Sequence, residues 1–180
     1  MKQRQNSTRN IILTGMFAAV LAALSQLQIP MPSGVPVTLQ TFAAALGGFM
    51  LGARGGVMTV LIYVLVGAVG LPVFSGFQGG IGVVLGPAGG FLWGFFVLAA
   101  LCGYGYEKKT LVRIGSAAIG LTICHLIGIA QFTVVMKTGF MEAALLVSVP
   151  YLIKDALSVV GAYLAARVVR RSLSRAGYFF

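Results

Sequence analysis

The sequence predicts an all-α integral membrane protein with six transmembrane helices and both termini in the cytoplasm. Three observations lead to this prediction. Hydrophobic residues make up 58% of the 180 residues and charged residues only 9%, whereas soluble domains have roughly 45–50% and about 25%. The apolar residues come in runs that approach or reach the ~20 residues of a spanning helix, and Lys and Arg collect at the ends of these runs. We therefore expect one transmembrane domain over residues 1–180, with the bilayer as its solvent.

Six apolar runs are the predicted helices. Glycine, proline or charged residues interrupt the chain between them. Their bounds are about Ile11–Ile29, Thr38–Leu51, Val57–Leu71, Gly90–Tyr106, Leu111–Val135 and Val147–Val169. A turn rich in Pro, Gly and Ser follows the first run, Arg54–Gly56 separates the second from the third, and Pro72 ends the third. The basic segment Met1–Asn10 leads into the first run without a small-residue cleavage site, so we expect the first helix to be retained.

The positions of the basic residues predict the orientation of the chain, because cytoplasmic loops of membrane proteins collect Lys and Arg. With the N-terminus inside, 11 of the 13 basic residues fall on the cytoplasmic side, namely Lys2, Arg4, Arg9, Arg54, Lys108, Lys109, Arg113, Arg167, Arg170, Arg171 and Arg175. Lys137 lies in an outer loop and Lys154 inside the sixth run. Topology thus explains the net charge of +10, with short basic cytoplasmic segments at residues 1–10 and 170–180, and nucleic-acid binding is not expected.

The stretch from Val73 to Pro87 is an unusual connection between two membrane helices. It has no charged residue and contains five glycines, at Gly76, Gly79, Gly80, Gly82 and Gly86. Irregular backbone is tolerated near a membrane where it packs on protein or lines a polar cavity. We therefore expect this loop to be the lid or wall of a binding site on the outer side, and to become ordered when ligand binds.

Two charged residues, Lys154 and Asp155, lie well inside the sixth run. A charge within the bilayer costs about 3 kcal/mol even on the lenient insertion scale, so it indicates a functional site by default. Helical spacing brings Tyr151 next to Asp155 and Ser158 next to Lys154. A carboxylate accepts N–H donors and an ammonium suits an anion, so the pair could hold a small molecule with polar groups at both ends. The alternative is that both charges only pair with other polar side chains or reach the interface.

Other polar or reactive residues carry weaker signals. His125 is the only histidine, which favours a hydrogen-bonded packing role over a metal site. Gln40 and Gln131 each place an amide in an apolar helix, where it either links helices or lines a pocket, and both interpretations stay open. Cys102 and Cys124 lack CxxC spacing and are expected to be small buried residues. There is no GxxxxGK[ST] loop, so we do not expect this chain to hydrolyse ATP.

Three stretches resemble a known family. They are VPVTLQTFAAALGGFMLG (Val35–Gly52), GLPVFSGFQGGIGVVLGPAGGFLWGF (Gly70–Phe95) and PYLIKDALSVVGAYLA (Pro150–Ala165). Together they are similar to the BioY family, the biotin-specific S component, or substrate-binding subunit, of energy-coupling-factor (ECF) transporters. The middle stretch is the most specific, because its spacing of Gly and Pro is hard to match by chance.

The resemblance implies a six-helix protein of the ECF S-component type in the bacterial plasma membrane. It would bind biotin from the extracellular side and dock onto a transmembrane scaffold subunit and two cytoplasmic ATPase subunits. The chain would then be a receptor for uptake rather than an enzyme. It would need no cofactor, since biotin is its transported ligand and the partner subunits use ATP.

The resemblance, together with the polar residues inside the apolar runs, also gives candidate sites. The candidate substrate-binding residues are Asp155, Lys154, Tyr151, Gln40, Gln78, Gly79, Gly80, Gly89, Gly90, Phe91 and Trp93. The family's Ala-x-x-x-Ala docking pattern for the scaffold is met in the first helix by two pairs, Ala18 with Ala22 and Ala19 with Ala23.

The sequence departs from the family pattern at two places. The family commonly has Lys three residues after the Asp of the last helix, whereas here Ser158 occupies that position and Lys154 precedes Asp155. Ala88 stands where the family's GPTGG pattern has Thr. Two assignments of the polar chemistry follow. Either Asp155 accepts the N–H groups of the biotin ureido ring, or Lys154 holds the biotin carboxylate.

Two other functions remain as alternatives. One is a stand-alone secondary transporter of a small vitamin-like molecule, although the inverted repeats typical of that class are not visible in the sequence. The other is a small intramembrane enzyme. One His and three acidic residues give few catalytic combinations, which makes an enzyme the weaker alternative.

Overall fold

A computed structural model describes residues 2–175, and for residues 2–7 only the course of the backbone. The last residues of the predicted cytoplasmic tail, 176–180, lie outside the described residues. Apart from one two-stranded hairpin, the named secondary-structure elements of the described chain are all helices, which confirms the all-α class. The elements are α1 (Lys2–Ser25), β1 (Gln28–Ile29), β2 (Val37–Thr38), α2 (Gln40–Ala68), α3 (Ile81–Leu85), α4 (Gly89–Tyr106), α5 (Thr110–Met136), α6 (Phe140–Val147) and α7 (Val149–Arg175).

Helix α2 is a hairpin of two helical segments rather than one straight rod. Gly52 has φ 75° and ψ 177° and breaks the helix. Across the break, the amide of Gln40 donates to the hydroxyl of Tyr63 over 2.7 Å, although 23 residues of straight helix would separate them by roughly 35 Å. The two segments are the predicted second and third runs. The predicted separator Arg54–Gly56 is itself helical, and the chain turns at Gly52 because glycine adopts a positive φ without steric cost.

Four helices of the described chain are long and apolar enough to cross a membrane by length and composition. They are α1 from Thr8, α2, α4 and α5. A fifth span results if α6 and α7, which meet at a bend of 50°, are counted as one. The predicted sixth run begins near this bend, but α6 was not predicted as a separate helix. Ser148 lies between α6 and α7.

Small residues let the central helices pack closely, which is how helices gain van der Waals contact in lipid. Helix α4 lies between α2 and α5. A methyl group added at Gly94 would overlap Cys124 of α5, one at Gly90 would overlap Gly128, and one at Gly48 of α2 would overlap the backbone of Ala99. Cys124 and Cys102 are both free thiols and buried, as predicted.

Two loops close one end of the helix bundle, which we call the loop end. The first loop (residues 30–39) connects β1 to α2 and contains β2, and in the β1–β2 hairpin Gln28 pairs with Thr38. The second loop (residues 69–88) is the glycine-rich connection and contains the short helix α3. The opposite end carries the basic termini of α5 and α7, and we call it the basic end. The candidate site lies at the loop end.

Candidate binding site

A small cavity lies under the two loops. Its volume is about 50 Å³, far below the ~300–1,000 Å³ of sites that hold drug-sized ligands. The cavity is therefore too small for a ligand of that size and has to enlarge before such a ligand can bind. Its walls are mostly apolar and aromatic, with a few polar groups converging on them. The lining residues are Val35, Pro36, Thr38, Gln40, Thr41, Phe74, Ser75, Val83, Ala88, Phe91, Leu92, Phe95, Tyr151, Lys154 and Asp155.

Asp155 is the centre of the polar side of the cavity. It lies two turns into α7 and is buried. The ammonium of Lys154 pairs with one carboxylate oxygen, and Nε2 of His125 lies 3.3 Å from the other. His125 is held in turn, because its Nδ1 shares a hydrogen bond of 2.9 Å with the hydroxyl of Ser148 at the α6–α7 bend. A buried carboxylate is tolerated when it is paired and hydrogen-bonded in this way.

Lys154 and Tyr151 connect the cavity to the first loop. The Lys154 ammonium donates to the carbonyl of Thr38 over 2.8 Å. The Tyr151 hydroxyl donates to the carbonyl of Val35 and lies 3.1 Å from the hydroxyl of Ser33. Two of the three side chains that line the cavity from α7 therefore also hold the loop that covers it.

The two glutamines left open by the sequence have different roles. Gln40 lines the cavity. Its amide nitrogen donates to the hydroxyl of Tyr63 over 2.7 Å, and its amide oxygen accepts from the hydroxyl of Thr38 over 2.9 Å. Gln131 donates to the carbonyls of Val84 and Gly86 over 3.0 and 2.8 Å. Gln131 thus links α5 to the second loop, whereas Gln40 both links elements and lines the pocket.

Five of the predicted binding residues line the cavity, namely Asp155, Lys154, Tyr151, Gln40 and Phe91. The ring of Phe91 meets the His125 ring edge to face at 5.8 Å. The remaining predicted residues do not line it: Gln78, Gly79, Gly80, Gly89, Gly90 and Trp93.

The structure gives a physical reason for each of these departures. Trp93 is 43% exposed and stacks on Phe96 on the outer surface of α4. Gln78 is exposed in the second loop. Gly89 and Gly90 are buried where α4 lies against α3 and α5, so their small size serves packing.

The glycines of the second loop support its turn. Gly79 lies so close to the carbonyls of Gly70 and Leu71 that a side chain would overlap them. Gly80 has φ 98°, and its amide donates to the carbonyl of Gly67 over 2.7 Å. Neither position contributes a wall of the cavity.

Several residues that line the cavity were not predicted, although helical spacing could have identified some of them. Leu92 and Phe95 follow Phe91 on one face of α4, so helical spacing from Phe91 points to Phe95 and away from Trp93. The contacts of Asp155 with His125 could not be predicted, because the two residues lie on different helices. Within the described residues, no group of three or more His, Cys, Asp or Glu side chains could hold a metal ion.

The two alanine pairs of α1 face different ways. Ala18 is only 6% exposed and Ala22 is partly buried, because both pack in the seam between α1 and the rest of the bundle. Ala19 and Ala23 are exposed, and Gly15 continues their row by one turn. Of the two rows, Gly15–Ala19–Ala23 is therefore the one exposed on the surface of the bundle.

The chain was compared with protein families and known proteins. The model of the BioY family matches residues 1–175. The biotin transporter BioY of Thermotoga maritima is 36% identical, over 93% of this chain and 99% of that protein. The biotin transporter BioY of Rhodobacter capsulatus is 35% identical, over 89% of this chain and 93% of that protein.

An archaeal relative and one solved structure add to the comparison. The probable biotin transporter BioY of Pyrococcus horikoshii is 34% identical, over 88% of this chain and 94% of that protein. A crystal structure of the S component for biotin from an ECF-type ABC transporter matches with a TM-score of 0.83 over 93% of each chain. Its sequence is only 19% identical, so this likeness concerns the fold.

Proposed function

The chain belongs to the BioY family, and we propose that it is the biotin-binding S component of an ECF-type importer. It is a multi-pass protein of the bacterial plasma membrane and not an enzyme. In the proposal it captures biotin from the extracellular side, and a transmembrane scaffold subunit and two cytoplasmic ATPase subunits supply the energy. The observation that carries the proposal is the ion pair of Lys154 with the buried Asp155 at a loop-covered cavity in a chain of this family.

The proposed topology has six transmembrane helices with both termini in the cytoplasm. The reversal at Gly52 supports this count, because it gives two membrane segments within α2. The bent pair α6–α7 then supplies the sixth segment. The clustering of Lys and Arg at the basic end supports the orientation, since that end would face the cytoplasm and the two loops would face outside.

Two alternative ligand contacts are proposed for the charges of the cavity. Asp155 would accept the two N–H groups of the biotin ureido ring, and charge-assisted bonds of this kind are worth roughly 1.5–3 kcal/mol. Alternatively, Lys154 would hold the biotin carboxylate, because the ion pair places both charges at one point of the cavity whereas the ureido ring and the carboxylate lie at opposite ends of biotin. The Lys154 side chain is 28% exposed, compared with 7% for Asp155, so the ammonium is the charge that an entering ligand meets first. Biotin is the cargo in this proposal, and no cofactor takes part.

The experiment that tests the proposed ligand is equilibrium binding of radiolabelled biotin to the purified chain in detergent, with thiamine and riboflavin as competitors. We expect saturable binding that unlabelled biotin displaces and the other two vitamins do not. Displacement by all three would contradict a biotin site. Uptake of biotin by vesicles that contain this chain alone would favour a stand-alone secondary transporter over an ECF subunit.

The proposed docking face for the scaffold is the exposed row Gly15–Ala19–Ala23. The variant Ala19→Trp should abolish biotin uptake by cells that also express the scaffold and ATPase subunits, because a bulky side chain prevents close helix approach. Biotin binding by the isolated variant should be unchanged. The control Val20→Trp enlarges a neighbouring side chain that is 39% exposed on the adjoining face of α1. Cells with this variant should still take up biotin. Full uptake by Ala19→Trp would remove this row from the interface.

A further inference from the structure

A second concave feature lies on the side of the bundle, between α5 and α7. It is a groove of about 430 Å³. The wall from α5 extends from Thr110 to Leu121, the wall from α7 extends from Ala156 to Leu164, and Phe49 of α2 forms part of the floor. The groove exists because α5 and α7 touch little along their length. No function described above uses it.

The groove has the length of one bilayer leaflet. The segment of α5 from Thr110 to Leu121 extends over about 16 Å, at a rise of 1.5 Å for each step along the helix, and half of a ~30 Å hydrocarbon core is about 15 Å. The walls between the two ends are apolar, with Ala117, Ala118 and Ala156 leaving the space open. These dimensions fit one acyl chain that lies parallel to the helices.

The charge of the groove lies at its basic end. Arg113 lines the groove there, and Lys109 precedes it by one turn of chain. On α7, Arg167 follows Tyr163 by four residues and therefore continues the same helical face. No acidic side chain lines the groove. Glu107, the nearest acid in sequence, has its carboxylate 3.5 Å from Arg170.

Arg113 is fixed in a position to receive an anion. Its guanidinium donates to the carbonyls of Tyr106 and Lys108 over 3.0 and 2.9 Å and to the hydroxyl of Tyr163 over 2.8 Å. The Tyr106 and Tyr163 rings lie against it at 5.8 and 5.3 Å. A guanidinium has five N–H donors, so these three bonds leave two for a ligand.

We propose that the groove binds an anionic glycerophospholipid from the surrounding leaflet. One acyl chain lies between α5 and α7, and the phosphate lies against Arg113, between Lys109 and Arg167. An apolar channel with a cationic mouth at the bilayer surface matches the charge and shape of such a lipid, because each surface cation attracts anionic lipid. This site is separate from the cavity at the loop end and does not depend on the bound vitamin.

Native mass spectrometry of the full chain tests the proposal. The protein is released from detergent after equilibration with dioleoyl phosphatidylglycerol or dioleoyl phosphatidylcholine, which have the same acyl chains. We expect one tightly held phosphatidylglycerol per chain and several-fold weaker retention of phosphatidylcholine. Equal retention of the two lipids would overturn the charge argument. A dimer in place of lipid would assign the groove to a second copy of this chain and overturn the proposal.

Matched variants locate the lipid. The double variant Lys109→Gln and Arg167→Gln leaves the Arg113 contacts intact and should weaken phosphatidylglycerol binding by about fivefold for each cation removed. The control Arg54→Gln removes an exposed cation of α2 away from the groove and should have no effect. Ala118→Trp should fill the groove and displace the lipid, whereas Ile119→Trp, at an exposed neighbour on α5, should not. Equal lipid retention by each variant and its control, with both proteins monodisperse and folded, would place the lipid elsewhere.

Discussion

The two loops over the cavity differ in what holds them. The first loop (residues 30–39) is fastened by Lys154 and Tyr151, which line the cavity. The second loop (residues 69–88) is fastened by residues outside the cavity: Ser25 donates to the carbonyl of Val73 over 2.6 Å, and Gln26 bonds to the backbone of the same loop. A ligand that engages Lys154 or Tyr151 therefore competes with the bonds of the first loop only. This makes the first loop the better candidate for the gate and the second loop a wall.

The comparison changes the expectation for the glycine-rich segment. Its glycines mostly supply backbone conformation and close packing. Gly76 and Gly80 have φ of 70° and 98°, which favour glycine. Phe74 is buried, and its ring packs on Tyr63 at 5.4 Å and against Gly67. A high glycine content thus indicates a tight turn here, and the mobile element is expected where the fastening side chains belong to the site.

The largest effect is expected from substituting Asp155, because this residue is the central polar group of the cavity and the ion-pair partner of Lys154. Asp155→Asn keeps the shape of the side chain but loses its charge and one acceptor. We expect biotin affinity to fall about ten- to a hundredfold, a loss of roughly 1.4–2.8 kcal/mol. Equilibrium binding measures this, with Glu142→Gln as a carboxylate control outside the cavity. Unchanged affinity in a folded Asp155→Asn protein would make Asp155 structural and would move the search for polar contacts to Gln40 and Tyr151.

A smaller effect is expected from Lys154→Ala, which removes a bond of the gate and, in the alternative assignment, the contact with the biotin carboxylate. We expect biotin to bind about tenfold more weakly, a loss of about 1.4 kcal/mol. Biotinamide, which has no carboxylate, should bind the parent and the variant within about twofold of each other. Competition binding with the two compounds separates these results. An equal loss for both would show that the ammonium does not hold the ligand carboxylate.

Hydrogen exchange compares the loops directly. Saturating biotin should change the protection of amides in residues 31–39 several-fold. The reason is that the first loop moves when Tyr151 and Lys154 release the carbonyls of Val35 and Thr38. Protection in residues 73–87 should change less, since Gln26 and Gln131 hold that loop in both states. A larger change in residues 73–87 would restore the glycine-rich segment as the lid.

The smallest effect on affinity is expected from Gln131→Ala. It deletes the donor to the carbonyls of Val84 and Gly86, and each lost bond of this kind costs roughly 1 kcal/mol. The midpoint of thermal unfolding should fall by several degrees while biotin affinity stays within about twofold of the parent. A large loss of affinity without a loss of thermal stability would mean that the second loop takes part in binding.

Much of the helical framework could be predicted, because membrane helices are set by apolar length. The fourth run was predicted as Gly90–Tyr106 and α4 begins one residue earlier. The fifth was predicted as Leu111–Val135, and α5 extends one residue further at each end. The bend between α6 and α7 was missed although Pro150 marks it, because a proline has no backbone N–H with which to continue α6 and is tolerated in the first turn of the next helix.

The site was predictable only in part. Lys154 and Asp155 are conspicuous because charge inside an apolar run is costly, and Tyr151 follows from helical spacing. Gly89, Gly90 and Trp93 were predicted from the family resemblance, and they are close in sequence to Phe91 without lining the cavity. Nearness in sequence does not specify which face of a helix a residue occupies. The bonds from Lys154 and Tyr151 to the first loop join residues about 116 positions apart, and local patterns do not reveal such pairs.

The reversal at Gly52 has a consequence for the order in which the protein assembles during synthesis. The two segments of α2 meet at a turn against which Gly103 of α4 packs so closely that a methyl group there would overlap Gly52 and Ala53. Gly48 makes a similar approach to Ala99 of α4. These contacts cannot form until the ribosome has made α4, about fifty residues later. The hairpin is therefore made before α4 can cover its turn. A substitution at Gly103 would prevent this contact and should be seen first as degradation of the newly made chain.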